Sequence, residues 1–192
     1  MSLITDQTLR STRVSLRRLS VEDAASLFGA LATEPVGQFM LPPPDSPERF
    51  ERFIRWTHRE EDGGRHFCFG IIPPGQETPV GLIQVRRDTA DASTAEWGFA
   101  LSERFWGTGL FVASAEVLLP FLFDSASIMR LEARTIVENG RAIGALQKLQ
   151  AVREGRLRRG FHRNGDYFDQ YLWSILADEW RAASPLTRRA AA

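Results

Sequence analysis

Residues 104–109, Arg104-Phe105-Trp106-Gly107-Thr108-Gly109, place a fixed cation, two glycines and a hydroxyl just ahead of an apolar run that opens at Leu110. A turn of that composition at the head of a helix leaves backbone N–H groups without intrachain partners, at the positive end of the helix dipole. The glycines let the backbone approach a ligand or adopt positive φ, the threonine adds a hydroxyl and the arginine a charge. Together they suit a pyrophosphate. The same string also reads as a tight strand-to-helix connection that binds nothing; its place between two apolar elements favours the cradle. A dinucleotide fingerprint does not fit, because Val112 stands at its third glycine, and the Gly-Lys-Ser/Thr of a Walker loop occurs nowhere.

The stretch before it, residues 94–101, alternates. Ala95, Trp97, Phe99 and Leu101 share one face of a strand, and Thr94, Glu96, Gly98 and Ala100 the other. Glu96 therefore lies among small residues, which leaves room for a ligand beside a carboxylate able to accept a proton; its alternative reading is an ordinary exposed strand glutamate. Cys68 alternates within a strand and reads as packing, since a nucleophilic thiol needs a histidine in reach. Phe39, Trp56 and His66 read as core ahead of pocket lining. The basic stretch 152–163 reads as a solvated face able to steer an acidic protein.

These residues sit on elements legible from period and punctuation. A strand over 12–19 leads to a helix over 20–34, with Ser20 and Asp23 as an acidic capping box, and a second helix runs from Pro47 to Gly63-Gly64. Strands follow at 66–72, 79–87 and 93–101. The helix over 110–127 is apolar enough to be buried, and Pro120 must kink or shorten it. Residues 129–139 form the clearest half-buried strand, followed by a helix over 140–150 and a strand over 152–161 that bends at Gly155. Residues 166–180 fit a helix and a strand equally.

Length and composition bound the rest. A chain of 192 residues, 43% hydrophobic, carries one core, and 24 basic residues against 24 acidic ones give no global field for nucleic acid or an anionic membrane. The first twenty residues lack a signal-peptide core, and no window is apolar enough to span a membrane. One cysteine excludes an internal disulfide, and His58, His66 and His162 show no metal-ligand spacing. The expectation is a cytoplasmic, metal-free domain with no nucleic-acid or membrane partner, and with edge strands that allow a homodimer.

The ordered series of motifs resembles the GNAT superfamily of N-acetyltransferases, in its RimJ/RimL branch. R-x-x-G-x-G after the fourth strand is similar to the coenzyme A pyrophosphate loop; residues 12–28, 79–85, 95–101 and 164–180 look like that branch's opening, third strand, fourth strand and closing strand. The resemblance spans residues 9–180, with 181–192 left as a mobile tail. It implies an α/β (α+β) domain: a strongly twisted, mixed seven-stranded sheet with helices on both faces, splayed at its centre for the cofactor arm. It assigns 166–176 to a strand.

On that resemblance the cosubstrate is acetyl-CoA. Its pyrophosphate would lie on Arg104, Trp106, Gly107, Thr108, Gly109 and Leu110, and its pantetheine along the backbone of Phe99 and Leu101; Asn139 would face the arm, and Lys148 either reaches it or is solvated. Glu96 stands where relatives carry the carboxylate that takes the amine's proton. The acceptor is a small-molecule, peptide or protein amine. At pH 7, deprotonating an α-amine costs about 1 kcal/mol and a lysine roughly 4.6, which favours the α-amine. Leu146 replaces the family tyrosine that protonates the thiolate, Ala142 a common serine, and Gln150-Ala151 a common Gly-Phe, which leaves the general acid unassigned. Two rivals remain: a CoA-binding regulatory module without turnover, and an interaction domain whose glycine turn binds nothing.

Overall fold

The computed structural model describes residues 8–40, 43–89 and 91–183. Leu9–Arg10 (β1) folds back on Ser15–Arg18 (β2), with the turn closed by the Ser11 N–H donating to the Val14 carbonyl at 2.9 Å. A 3₁₀ turn, Val21–Asp23, runs into Ala24–Leu31 (α1), and the Ser20 N–H donates to Asp23 Oδ2 at 2.8 Å. The same carboxylate takes both ends of the Arg17 guanidinium, at 2.6 and 2.8 Å, which pins the helix start to β2. The helix expected over 20–34 is thus broken: after Leu31 the chain restarts as Glu34–Gly37 (α2), with Pro35 in its first turn. Pro47–Asp62 (α3) starts where Ser46 Oγ accepts from the Arg49 N–H and ends at Gly63, as the sequence predicts.

His66–Ile72 (β3), Gly81–Arg86 (β4) and Thr94–Leu101 (β5) form an antiparallel ladder. Leu110–Pro120 (α4) then crosses to Arg130–Ile136 (β6), the strand that pairs β5 in parallel. At Pro120 the helix widens into a π turn over Phe121–Ser125, where the Ala126 N–H reaches the Phe121 carbonyl at 3.0 Å. Proline removes one i→i−4 donor, and the wider turn keeps Phe121, Leu122 and Phe123 buried. Gly140–Lys148 (α5), Val152–Arg163 (β7), Asp166–Leu176 (β8) and Ala177–Ala183 (α6) complete the chain. Residues 166–180 are therefore strand to Leu176 and helix beyond it. Of the expected tail, 181–183 belong to α6 and 184–192 lie outside the described residues.

The sheet order is β1-β2-β3-β4-β5-β6-β8-β7, eight strands where seven are expected. The additional strand is β1, two residues long, too short for alternation to reveal. The α4 side of the sheet buries Phe67 and Phe69, whose rings meet Phe121 edge-on at 6.0 and 5.8 Å. On the other side Leu27 and Leu31 of α1 and Phe50 and Ile54 of α3 pack with Leu82 and Ala100. Helices thus cover both faces, as the resemblance implies.

Between β5 and β6 the sheet opens. Their register runs only from Thr94 opposite Arg130 to Glu96 opposite Glu132; beyond that the strands part, and β5 has no strand on that edge from Trp97 to Leu101. Phe111 of α4, stacked on Phe99 with ring centroids 3.5 Å apart, lines this fork.

The far end of β5 is held by close approach to β4. Gly81 lies opposite Leu101, and a Cβ there would fall 2.5 Å from the Ala100 carbonyl oxygen. Gly81→Ala is expected to lower the unfolding free energy by about 1–3 kcal/mol, read as a lower urea midpoint at unchanged m. An unmoved midpoint would contradict that contact.

Candidate active site

The turn from β5 to α4 is built from local hydrogen bonds that consume some N–H groups and leave others. Phe105 and Trp106 donate to the carbonyls of Ser102 and Glu103, both at 3.0 Å, Thr108 to that of Phe105 at 3.4 Å, and Leu110 to Thr108 Oγ1 at 3.3 Å. Among the described residues, no protein group accepts from the N–H of Gly107, Gly109, Phe111 or Val112. Gly107 and Gly109 hold φ of 74° and 80°, the left-handed region that glycine takes without steric cost. The result is a concavity of free donors at the positive end of α4.

The side chains of the turn behave differently from expectation. Thr108 Oγ1 donates to the Phe105 carbonyl at 2.7 Å and accepts from Leu110, so it stiffens the loop from within. Neither Thr108 nor Arg104 is in the cleft wall. Trp106 donates its indole N–H to the Leu101 carbonyl at 2.8 Å and carries the Arg141 guanidinium 3.9 Å over its ring. Charge beside the turn comes from an unexpected quarter: a Cβ on Gly109 would lie 2.9 Å from Arg13 Nη2. Arg13 is far away in sequence, and no local pattern signals it.

From the turn a cleft of about 800 Å³ runs through the fork. The Ser102 N–H bonds the Val80 carbonyl of the β4 side at 2.9 Å. By alternation, Phe99 and Leu101 turn their backbone groups to the opposite, unpaired edge, as expected for an added strand; the Leu101 carbonyl is already taken by Trp106. Asn139 lines the cleft, yet its Oδ1 accepts from the Ala142 N–H at 3.1 Å and caps α5. Leu146, Ala142 and Lys148 also line it, and neither described tyrosine does.

Glu96 lies on the cleft floor beside Gly98, where an added Cβ would meet nothing within 4 Å. Its Oε2 accepts from Arg134 Nη1 and lies 3.8 Å from Arg86 Nη2, one guanidinium from each neighbouring strand. Among the described residues no donor reaches Oε1. Alternation finds the face of Glu96, but the arginines follow only from register: Arg86 is its direct partner on β4, and Arg134 stands two residues past its partner on β6.

Phe39, Trp56 and His66, read from sequence as core first, all line the cleft. His66 is 2% exposed; its Nε2 lies 3.1 Å from Gln84 Oε1, and its buried Nδ1 has no partner among the described residues. Burial pushes its pKa below the ordinary imidazole value, so the ring is neutral at pH 7. Cys68 is fully buried and desolvation raises its thiol pKa steeply. Among the described residues no group of three His, Cys, Asp or Glu could hold a metal ion, and no helix is long and apolar enough to cross a membrane.

Residues 13–152 match the acetyltransferase (GNAT) domain family. The uncharacterized N-acetyltransferase p20 of Bacillus licheniformis is 26% identical over 175 residues, covering 91% of this chain and 98% of that protein. A ribosomal-protein-S5-alanine acetyltransferase from Vibrio fischeri aligns in structure with a TM-score of 0.82 at 18% identity, over 91% of this chain and 99% of that one. Mycobacterium smegmatis RimJ, solved with CoA-disulfide, gives 0.79 at 22% identity, over 86% and 83%. At such identities these structures speak for the fold.

The buried thiol yields a direct check of this geometry. Cys68 is expected to resist iodoacetamide at pH 8 in the native protein and to react fully in urea. Native alkylation at the rate of a free thiol would contradict its placement.

Proposed function

The chain belongs to the GNAT acetyltransferase family, and we propose that it transfers acetyl directly from acetyl-CoA to a primary amine, with protein N-terminal α-amines among the acceptors. The observation that carries the cosubstrate is the row of free N–H groups at Gly107, Gly109, Phe111 and Val112, beside a strand edge that lacks a partner. The donors suit the oxygens of a diphosphate, the unpaired edge at Phe99 suits a chain of amides, and the 800 Å³ cleft joins the two. Arg13, Arg141 and Lys148 supply positive charge along the way. When bound, acetyl-CoA supplies the activated thioester.

The chain's own residues then handle the amine. Glu96 Oε1, open to the cleft, holds the ammonium form and takes its proton, directly or through water. The amine nitrogen attacks the carbonyl carbon; the C–N bond forms, the C–S bond breaks, sulfur leaves with its electron pair, and the nitrogen's surplus proton passes to water. An α-amine asks little of this base, since its deprotonation at pH 7 costs only about 1 kcal/mol. Arg134 holds the carboxylate in the fork, so orientation rather than basicity is its main contribution. Leu146 and Ala142 offer no proton to the departing sulfur, which leaves water that role. The same two residues are what would favour a binding module without turnover.

Glu96→Gln is expected to lower kcat/KM for thiol release by about 100-fold while CoA binding persists in calorimetry. Gly107→Val, a β-branched residue forced to positive φ, is expected to abolish that binding. For an α-amine acceptor kcat/KM should rise with pH and level off above about 8, as the free amine becomes the dominant form. CoA binding by the wild type with no thiol release on a broad amine panel would leave the regulatory reading standing; no CoA binding would remove both.

A further inference from the structure

The cleft continues past Glu96. A second cavity of about 310 Å³ has Glu60, Arg65 and Asp88 in its wall, and Trp56, His66 and Arg86 belong to this wall and to that of the main cleft alike. These three side chains form the partition between the place where the amine must sit and a charged chamber behind it.

The charges of the chamber do not all cancel. Glu60 and Arg65 bond each other at 2.9 Å. Arg87 spends its guanidinium on the backbone carbonyls of Gly64 and Ala126, at 2.8 and 3.1 Å. Arg86 has no hydrogen-bond acceptor among the described residues. Its one ionic neighbour among those residues is Glu96 at 3.8 Å, whose Oε2 is already occupied by Arg134, and Asp88 makes no ion pair with it. Its side chain, 67% exposed, offers a planar fork of donors to both cavities.

Glu96 and Arg86 thus set a carboxylate and a guanidinium 3.8 Å apart on the cleft wall, which asks for a positive group directly beside a negative one. An ammonium with a carboxylate a few bonds away meets both demands. A dianionic phosphate would have to lie against Glu96 and Asp88.

Building on the acetyl-transfer reading, we propose that Arg86 recognises a carboxylate on the acceptor, and so selects amines that carry an acidic group close to the nitrogen. Two sources share that chemistry: the α-carboxylate of a free amino acid, and an acidic side chain at the second position of a peptide. Arg86 is a specificity residue in this scheme, with Glu96 receiving the amine and Arg86 the acid.

The test measures kcat and KM for thiol release from acetyl-CoA with L-serine, L-serinamide, the amidated peptides Ser-Glu-Ala-Ala and Ser-Gln-Ala-Ala, and n-butylamine. The wild type should prefer the carboxylated member of one pair by about 10- to 100-fold, the worth of a hydrogen bond to a charged group. Preference within the serine pair identifies a free amino acid as the source; preference within the peptide pair identifies an N-terminus. Arg86→Gln should bring that ratio close to one by raising KM for the carboxylated acceptor, and Arg86→Lys should restore part of it. Equal efficiency within both pairs, or a preference that survives Arg86→Gln, would overturn the proposal while turnover of n-butylamine left acetyl transfer intact. No thiol release with any acceptor would overturn acetyl transfer and this proposal together.

Discussion

Buried backbone donors must find acceptors, and in one place this fold withholds them. β5 and β6 pair over three register positions and then part, so the end of β5 has one bare edge. The turn that follows satisfies the N–H groups of Phe105, Trp106, Thr108 and Leu110 internally, yet leaves those of Gly107, Gly109, Phe111 and Val112 without an acceptor among the described residues. The bare edge and the bare helix head are neighbours through the stacked pair Phe99 and Phe111. One ligand that is amide-like along its length and anionic at its end would complete both. The rest of the domain holds that gap open: the Gly81–Leu101 approach fixes the strand end, and Thr108 and Trp106 brace the turn from inside.

The second constraint is electrostatic. Glu96 lies between guanidinium groups from both adjacent strands, so its position is set by charge as well as by backbone. Further along the same face, Arg130 is shared by Glu132 and Glu154, and Ser174 adds a hydrogen bond that helps hold Glu154 down to about 2, well below the usual carboxylate range. This lattice of unlike charges keeps polar side chains ordered across the sheet face.

Local pattern carried much of this into the sequence. The alternation of 129–139, the proline start and glycine stop of α3, and the glycines at 107 and 109 each act within a few residues, and each is legible. Strand β1 is too short to alternate, and β8 pairs on both edges, so its burial follows no simple period. The least legible features depend on partners far away in the chain: Arg13 against Gly109, Arg134 on Glu96, and the partition shared by Trp56, His66 and Arg86. Thr108 shows the opposite case, a residue legible in the motif whose hydroxyl is turned inward, because its nearest unsatisfied donor was its own neighbour two residues on.

The free donors can be observed directly by titrating ¹⁵N-labelled protein with CoA. The amide resonances of Gly107, Gly109, Phe111 and Val112 should move downfield together and saturate at one midpoint, while Phe105 and Trp106, already bonded within the turn, move less. Saturable CoA binding that shifts resonances elsewhere and leaves those four in place would contradict the account at its root.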